Sequence, residues 1–126
     1  MEKSNRPVDL PLFKIRLPIG GIISIVHRVT GVLLVVLLPV ATYWLGKSLE
    51  SPAGYDETVE VLGSAWVKLA AVILMALFVQ HLVSGIRHLL LDLHVGIEKK
   101  PARMSAWSVA IISFSVMLLF AWVMVR

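Results

Sequence analysis

Leu69-Ala70-Ala71-Val72-Ile73-Leu74-Met75-Ala76-Leu77-Phe78-Val79-Gln80-His81-Leu82-Val83-Ser84-Gly85-Ile86 runs for 18 residues between Lys68 and Arg87 without a charge. A helix that crosses a hydrocarbon core of about 30 Å needs roughly 20 such residues. Two more uncharged runs flank it, Val29 to Gly46 with 18 residues and Met104 to Val125 with 22. Backbone groups in lipid must find partners within a helix or a closed barrel, and the alternation of barrel strands is absent here. The expected fold class is an all-α membrane protein with three transmembrane helices.

Composition supports the same reading. Of 126 residues, 58% are hydrophobic and 16% charged, against roughly 45–50% and about 25% in a soluble domain. A single soluble domain of this size buries only about 70% of the surface its unfolded chain exposes, so the apolar excess must face lipid. Disorder is excluded by hydrophobicity. With no cysteine, the chain can hold neither a disulfide nor an iron–sulfur cluster, and it has no thiol nucleophile. The surplus of 12 Lys and Arg over 8 Asp and Glu is too small and too scattered to argue for nucleic acid, and no nucleic-acid partner is expected.

The spans divide the chain into an N-terminal arm (1–21), a first span (22–46), a loop (47–65), a second span (66–92), a loop (93–103) and a third span (104–126). The arm carries Pro7, Pro11 and Pro18 and reads as extended. No small-residue cleavage site follows the first apolar run, so a cleaved signal peptide is not expected. Ser51-Pro52-Ala53-Gly54 reads as a turn, followed by a short amphipathic piece from about Asp56. Trp44, Tyr43 and Trp66 stand near span ends, where aromatic belts form.

The positive-inside bias sets an orientation. Lys3, Arg6, Lys14, Arg16 and Arg28 precede or open the first span, and Arg87, Lys99, Lys100 and Arg103 surround the second connection. The first connection has Lys47 and Lys68 only at its margins, with Glu50, Asp56, Glu57 and Glu60 between them. The N-terminus and second loop are therefore expected in the cytoplasm and the C-terminus in the periplasm of a bacterial inner membrane.

Ionisable residues within membrane helices are costly and call for a reason. On the first span Ser24, His27, Arg28 and Gly31 fall at i, i+3, i+4 and i+7, on one face. On the second, His81 and His88 are two turns apart, about 10 Å along the axis, with Ser84 and Gly85 on the same stripe. A lone membrane histidine can serve as a packing hydrogen bond, and Arg28 can snorkel to head groups. The alternative is a haem site: a neutral imidazole for iron, a glycine that admits a flat macrocycle, and cations for the propionates. Only His81 lies at suitable depth for an axial ligand. A six-coordinate haem would take its second ligand from another chain.

Ser24-Ile25-Val26-His27-Arg28-Val29-Thr30-Gly31, followed by His81-Leu82-Val83-Ser84-Gly85-Ile86-Arg87-His88-Leu89-Leu90-Leu91-Asp92, resembles the cytochrome b subunit of succinate dehydrogenase, the larger of its two membrane anchors. Arg6-Pro7-Val8-Asp9-Leu10 and Ser48-Leu49-Glu50-Ser51-Pro52-Ala53-Gly54-Tyr55 are similar to bacterial members, and the third span matches in hydropathy only. The resemblance implies a helical bundle with a second membrane-anchor subunit around a shared haem b. It further implies a flavoprotein subunit that oxidises succinate and an iron–sulfur subunit that relays electrons to ubiquinone, with no FAD or iron–sulfur cluster on this chain. By this resemblance His81 is an axial ligand of the haem iron, Ser24 and Arg28 line the quinone site, and His27, Arg28 and His88 surround the haem propionates; the charge of Arg87 and its place along the second span add it to that propionate set. No catalytic residue of a complete active site is expected, since the chain is one subunit of an oxidoreductase. Two other readings stand beside it: an anchor of the fumarate reductase type, or a non-redox membrane scaffold in which His81 only packs helices.

Overall fold

The computed structural model describes residues 17–126, and within them the chain forms four helices and no strand. Three are long and apolar enough to span a membrane: α1 (Ile19–Glu50, 32 residues), α3 (Ala65–Asp92, 28 residues) and α4 (Lys99–Val125, 27 residues). The fourth, α2 (Pro52–Gly63, 12 residues), joins the first two. Residues 1–16 of the expected arm, Pro7 and Pro11 among them, lie outside the described residues, and 19–21 belong to α1.

Each helix extends beyond its uncharged run, because charged residues at the ends of a span sit at the boundary without ending the helix. α1 starts behind Pro18, whose extended backbone (ψ 153°) turns its carbonyl to the amides of Gly21 (2.9 Å) and Ile22 (3.2 Å). Pro39 interrupts the ladder from inside α1 without ending it. Proline removes one donor there, the one that would meet the Val35 carbonyl, a loss that membrane helices tolerate. One turn on, the Thr42 hydroxyl bonds back to the carbonyls of Leu38 (3.1 Å) and Pro39 (2.9 Å).

The segment read as a turn is the start of α2. Ser51 is extended and accepts the Gly54 amide on its side chain (3.0 Å), and Pro52 follows as the first helical residue. A serine N-cap with proline behind it starts a helix as readily as a turn. Gly54 is needed for the fit, since a Cβ there would run into the Lys47 carbonyl oxygen of α1. The Lys47–Glu57 ion pair closes the same corner.

α3 begins at the Ser64 cap, which receives the Val67 amide (3.4 Å). It ends in a left-handed residue, His94 (φ 62°), with the His94 amide on the Leu91 carbonyl (2.9 Å) and the Val95 amide on the Leu90 carbonyl (2.9 Å). This Schellman-type closure normally uses glycine. Gly96, also left-handed at φ 73°, completes the reversal into α4. That helix opens at Lys99, so Lys99 to Arg103, expected in a loop, form its first turn.

The packed interior is small. Ile23 of α1 meets Ala106 and Val109 of α4, with Ile19, Val83 and Ala110 around them. Ser84 of α3 is completely buried and accepts the Gln80 amide nitrogen (3.1 Å). Only 11% of an 18-residue apolar stretch of each spanning helix is buried within the chain. The remaining apolar surface is available to lipid and to other subunits.

Candidate functional site

The site lies where α1 crosses α3. His81 reaches from α3 and places Nδ1 3.0 Å from the backbone carbonyl oxygen of His27 and 3.3 Å from the Thr30 hydroxyl. A carbonyl oxygen only accepts, so the hydrogen bond assigns the proton to Nδ1 and leaves the lone pair on Nε2. Thr30 is buried, and its hydroxyl also lies 2.9 Å from the carbonyls of Val26 and His27.

His27 makes the reciprocal reach from α1 to α3. Its ring stacks on His81 with centroids 4.2 Å apart and planes within 9°, and it lies 5.1 Å from the tilted ring of His88. Each imidazole is seated over a glycine of the opposite helix. A Cβ on Gly31 would stand 2.8 Å from His81 Cε1, and one on Gly85 would stand 3.3 Å from His27 Nε2. Gly85, read from sequence as room for a macrocycle, is room for the His27 ring in this structure.

Three of the residues singled out from sequence, His27, His81 and His88, are thus brought together. His88 Nε2 is buried without a hydrogen-bond partner among the described residues. Buried polar atoms in folded proteins are nearly always satisfied, so this edge of the cluster is suited to a group from outside the chain. Among the described residues, no three His, Asp or Glu side chains converge as a metal-ion cage. The bond from Nδ1 to the His27 carbonyl instead leaves His81 with one unprotonated ring nitrogen, the form in which an imidazole can bind a metal.

Ser24 and Arg28 lie beside His27 and Gly31 on α1, as their spacing implies. His27, Thr30 and Gly31 face α3, whereas Arg28 is exposed and Ser24 half-buried one turn before it. The pair therefore sits on a ridge open to whatever packs against the end of α1.

Arg87, expected beside the propionates, bonds to α4 in this structure. It is 7% exposed, and its Nε donates to the Ser105 hydroxyl (3.0 Å) and one Nη to the Ala102 carbonyl (3.1 Å) of α4. Six residues carry a helix about 240° around its axis from His81, which turns Arg87 from the imidazole stripe to the α3–α4 seam. Sequence reasoning missed the roles of Thr30, Gly31 and Ser105. Thr30 and Gly31 were visible inside the first motif, but His81, which they contact, lies 51 and 50 residues away in the chain.

Residues 2–120 match the family model described as succinate dehydrogenase/fumarate reductase transmembrane subunit. Three relatives carry the name succinate dehydrogenase cytochrome b556 subunit. The one from Coxiella burnetii is 34% identical, with 95% of this chain and 98% of the relative covered. That from Paracoccus denitrificans is 36% identical, covering 94% and 89%. That from Rickettsia felis is 30% identical, covering 95% and 93%. With three spanning helices, an imidazole cluster between two of them and a match over nearly its whole length, the chain belongs to the succinate dehydrogenase/fumarate reductase transmembrane subunit family, among the cytochrome b membrane anchors of succinate dehydrogenase.

Proposed function

We propose that this chain supplies one axial ligand to a haem b shared with a second anchor subunit, and that it forms part of the site where ubiquinone is reduced with electrons from succinate. The observation that carries the proposal is His81, whose Nδ1 is held by the His27 carbonyl so that Nε2 is free to bind iron. A hydrogen bond of this kind fixes the orientation and basicity of a ligating imidazole. When bound, haem supplies a one-electron carrier inside the membrane.

The rest is the work of this chain's own side chains. His81 would hold the haem iron through Nε2, and Gly31 leaves room for its ring. His27 and His88, with Arg28 at the helix surface, are the groups proposed to meet the propionates. Arg87 faces the α3–α4 seam, about 100° around the helix from His88.

At the quinone site Ser24 and Arg28 act on charge. Reduction of ubiquinone to ubiquinol takes two electrons and two protons, and each electron places negative charge on a carbonyl oxygen before a proton arrives. A hydroxyl donor and a guanidinium aimed at that oxygen stabilise the charge most where water is scarce. The exposed ridge of Ser24 and Arg28 leaves room for a partner subunit to close the pocket over them. With no cysteine in this chain, the electrons must come from a partner, in this reading the iron–sulfur subunit beside the flavoprotein.

The assembled complex tests the assignment. Ser24→Ala and Arg28→Leu are expected to cut succinate-driven quinone reduction by about 100-fold or more, the scale of a lost oxyanion donor, while succinate oxidation by a soluble dye continues. Normal quinone turnover in both variants contradicts the pocket assignment.

A further inference from the structure

Where α1 and α4 begin and α3 nears its end, a cleft of about 780 Å³ opens between Pro18 and Ile19, Arg87, and Lys99, Lys100 and Arg103. Four of its lining side chains are cationic and none is acidic. Arg87 is the unusual one, because it is 7% exposed. Buried charges are ordinarily paired. Among the described residues the one ion pair is Lys47–Glu57, at the far end of α1. Asp92 and Glu98, the carboxylates nearest in sequence, are exposed and form no such pair.

The donors left on Arg87 support the same conclusion. Its Nε and one Nη bond neutral oxygens of α4, which orients the guanidinium without neutralising it. α4 starts without a side-chain cap, so its first amides and the positive end of its dipole sit beside the same cleft. The wall is not purely polar, since Pro18, Ile19 and Ile97 contribute apolar surface. A buried cation, three outer cations and an apolar lining at the end of membrane-spanning helices select an amphiphile with an anionic head.

We propose that this cleft binds the phosphate headgroup of an anionic glycerophospholipid, with Arg87 as the inner donor and Lys99, Lys100 and Arg103 as the outer ones. Basic pockets between membrane helices recognise such head groups by this chemistry. The cleft is much larger than a free phosphate, and its apolar lining suits the glycerol and first acyl carbons. The proposal is independent of the haem and quinone assignments.

The test uses the assembled complex in phosphatidylcholine nanodiscs, with phosphatidylglycerol or inorganic phosphate added. Two quantities are read: the melting midpoint and the phospholipid retained after detergent extraction, by mass spectrometry. Phosphatidylglycerol is expected to be retained over phosphatidylcholine and to raise the midpoint, with no effect of inorganic phosphate. Retention should fall about fivefold for each cation removed, the factor matching ~1 kcal/mol per cation near an anionic lipid. Arg87→Gln addresses the inner donor. Lys99→Gln/Lys100→Gln/Arg103→Gln, at exposed positions, carries the test if Arg87→Gln does not assemble. Equal retention of the two lipids by the unmodified complex overturns the proposal, as does enrichment that survives the triple substitution. Equal stabilisation by inorganic phosphate overturns it in favour of a soluble anion. Loss of a partner subunit from the triple variant, with lipid retention unchanged, overturns it in favour of an acidic protein surface.

Discussion

Gly31 and Gly85 carry as much of the site as the histidines do. Each removes the one carbon that would block an imidazole from the opposite helix, so two side chains can cross the α1–α3 seam in opposite directions and stack at 4.2 Å. Gly31→Val places two methyl groups where His81 Cε1 sits 2.8 Å from a first carbon, and overpacking of this kind costs about 1–3 kcal/mol. The expected outcome is a lower haem-to-protein ratio in the purified complex together with a reduced melting midpoint; an unchanged haem ratio contradicts the seating of His81. At this scale sequence periodicity had a definite reach. It placed His81, Gly85 and His88 on one stripe and His27 with Gly31 on another, because side-chain direction follows from spacing along one helix. It could not say that Gly85 receives His27 and Gly31 receives His81, because those contacts depend on how two helices distant in sequence are set against each other. Nor could it show that Arg87, next to His88 in sequence, is turned by its angular offset to Ser105 of α4.

At the scale of elements, hydropathy located the spans while capping chemistry set their ends. The charge-free runs understate the helices because Lys47, Lys68 and Arg87 all sit inside helical segments. The Ser51-Pro52 pair was legible as punctuation, but the choice between turn and helix start depended on α2 packing back onto Lys47 through Gly54. His94 illustrates a cost that spacing does not reveal. It holds the left-handed position of the α3 closure at φ 62°, a conformation that costs an L residue about 1–2 kcal/mol. His94 is exposed, and His94→Gly should relieve that strain. The expected outcome is a net gain of roughly 0.5–1 kcal/mol after the extra backbone entropy of glycine is counted, read as a higher melting midpoint of the complex. A lower midpoint would show that the His94 side chain makes a stabilising contact outside this chain.

At the scale of the whole molecule, the chain is three spanning helices around a small interior. Its interior is mostly small side chains, and its large hydrophobic residues, among them Val35, Ile73, Phe78 and Trp122, lie on the outside. Lipid accounts for part of that surface and the partner anchor proposed above for the rest. Orientation follows from the charge bias alone, and the lack of native cysteine makes it simple to check. An impermeant maleimide applied to intact spheroplasts should label Asp56→Cys, between α1 and α3, and should label Lys100→Cys only after the membrane is opened. The reverse pattern contradicts the assigned topology. The central claim, that His81 is a ligand of haem iron, is tested most directly by removing the ligand and replacing it with a small molecule. In the assembled complex with His81→Gly, the low-spin b-type spectrum of the reduced-minus-oxidised difference is expected to disappear and to return when imidazole is added. A low-spin spectrum that persists in His81→Gly without imidazole contradicts the account.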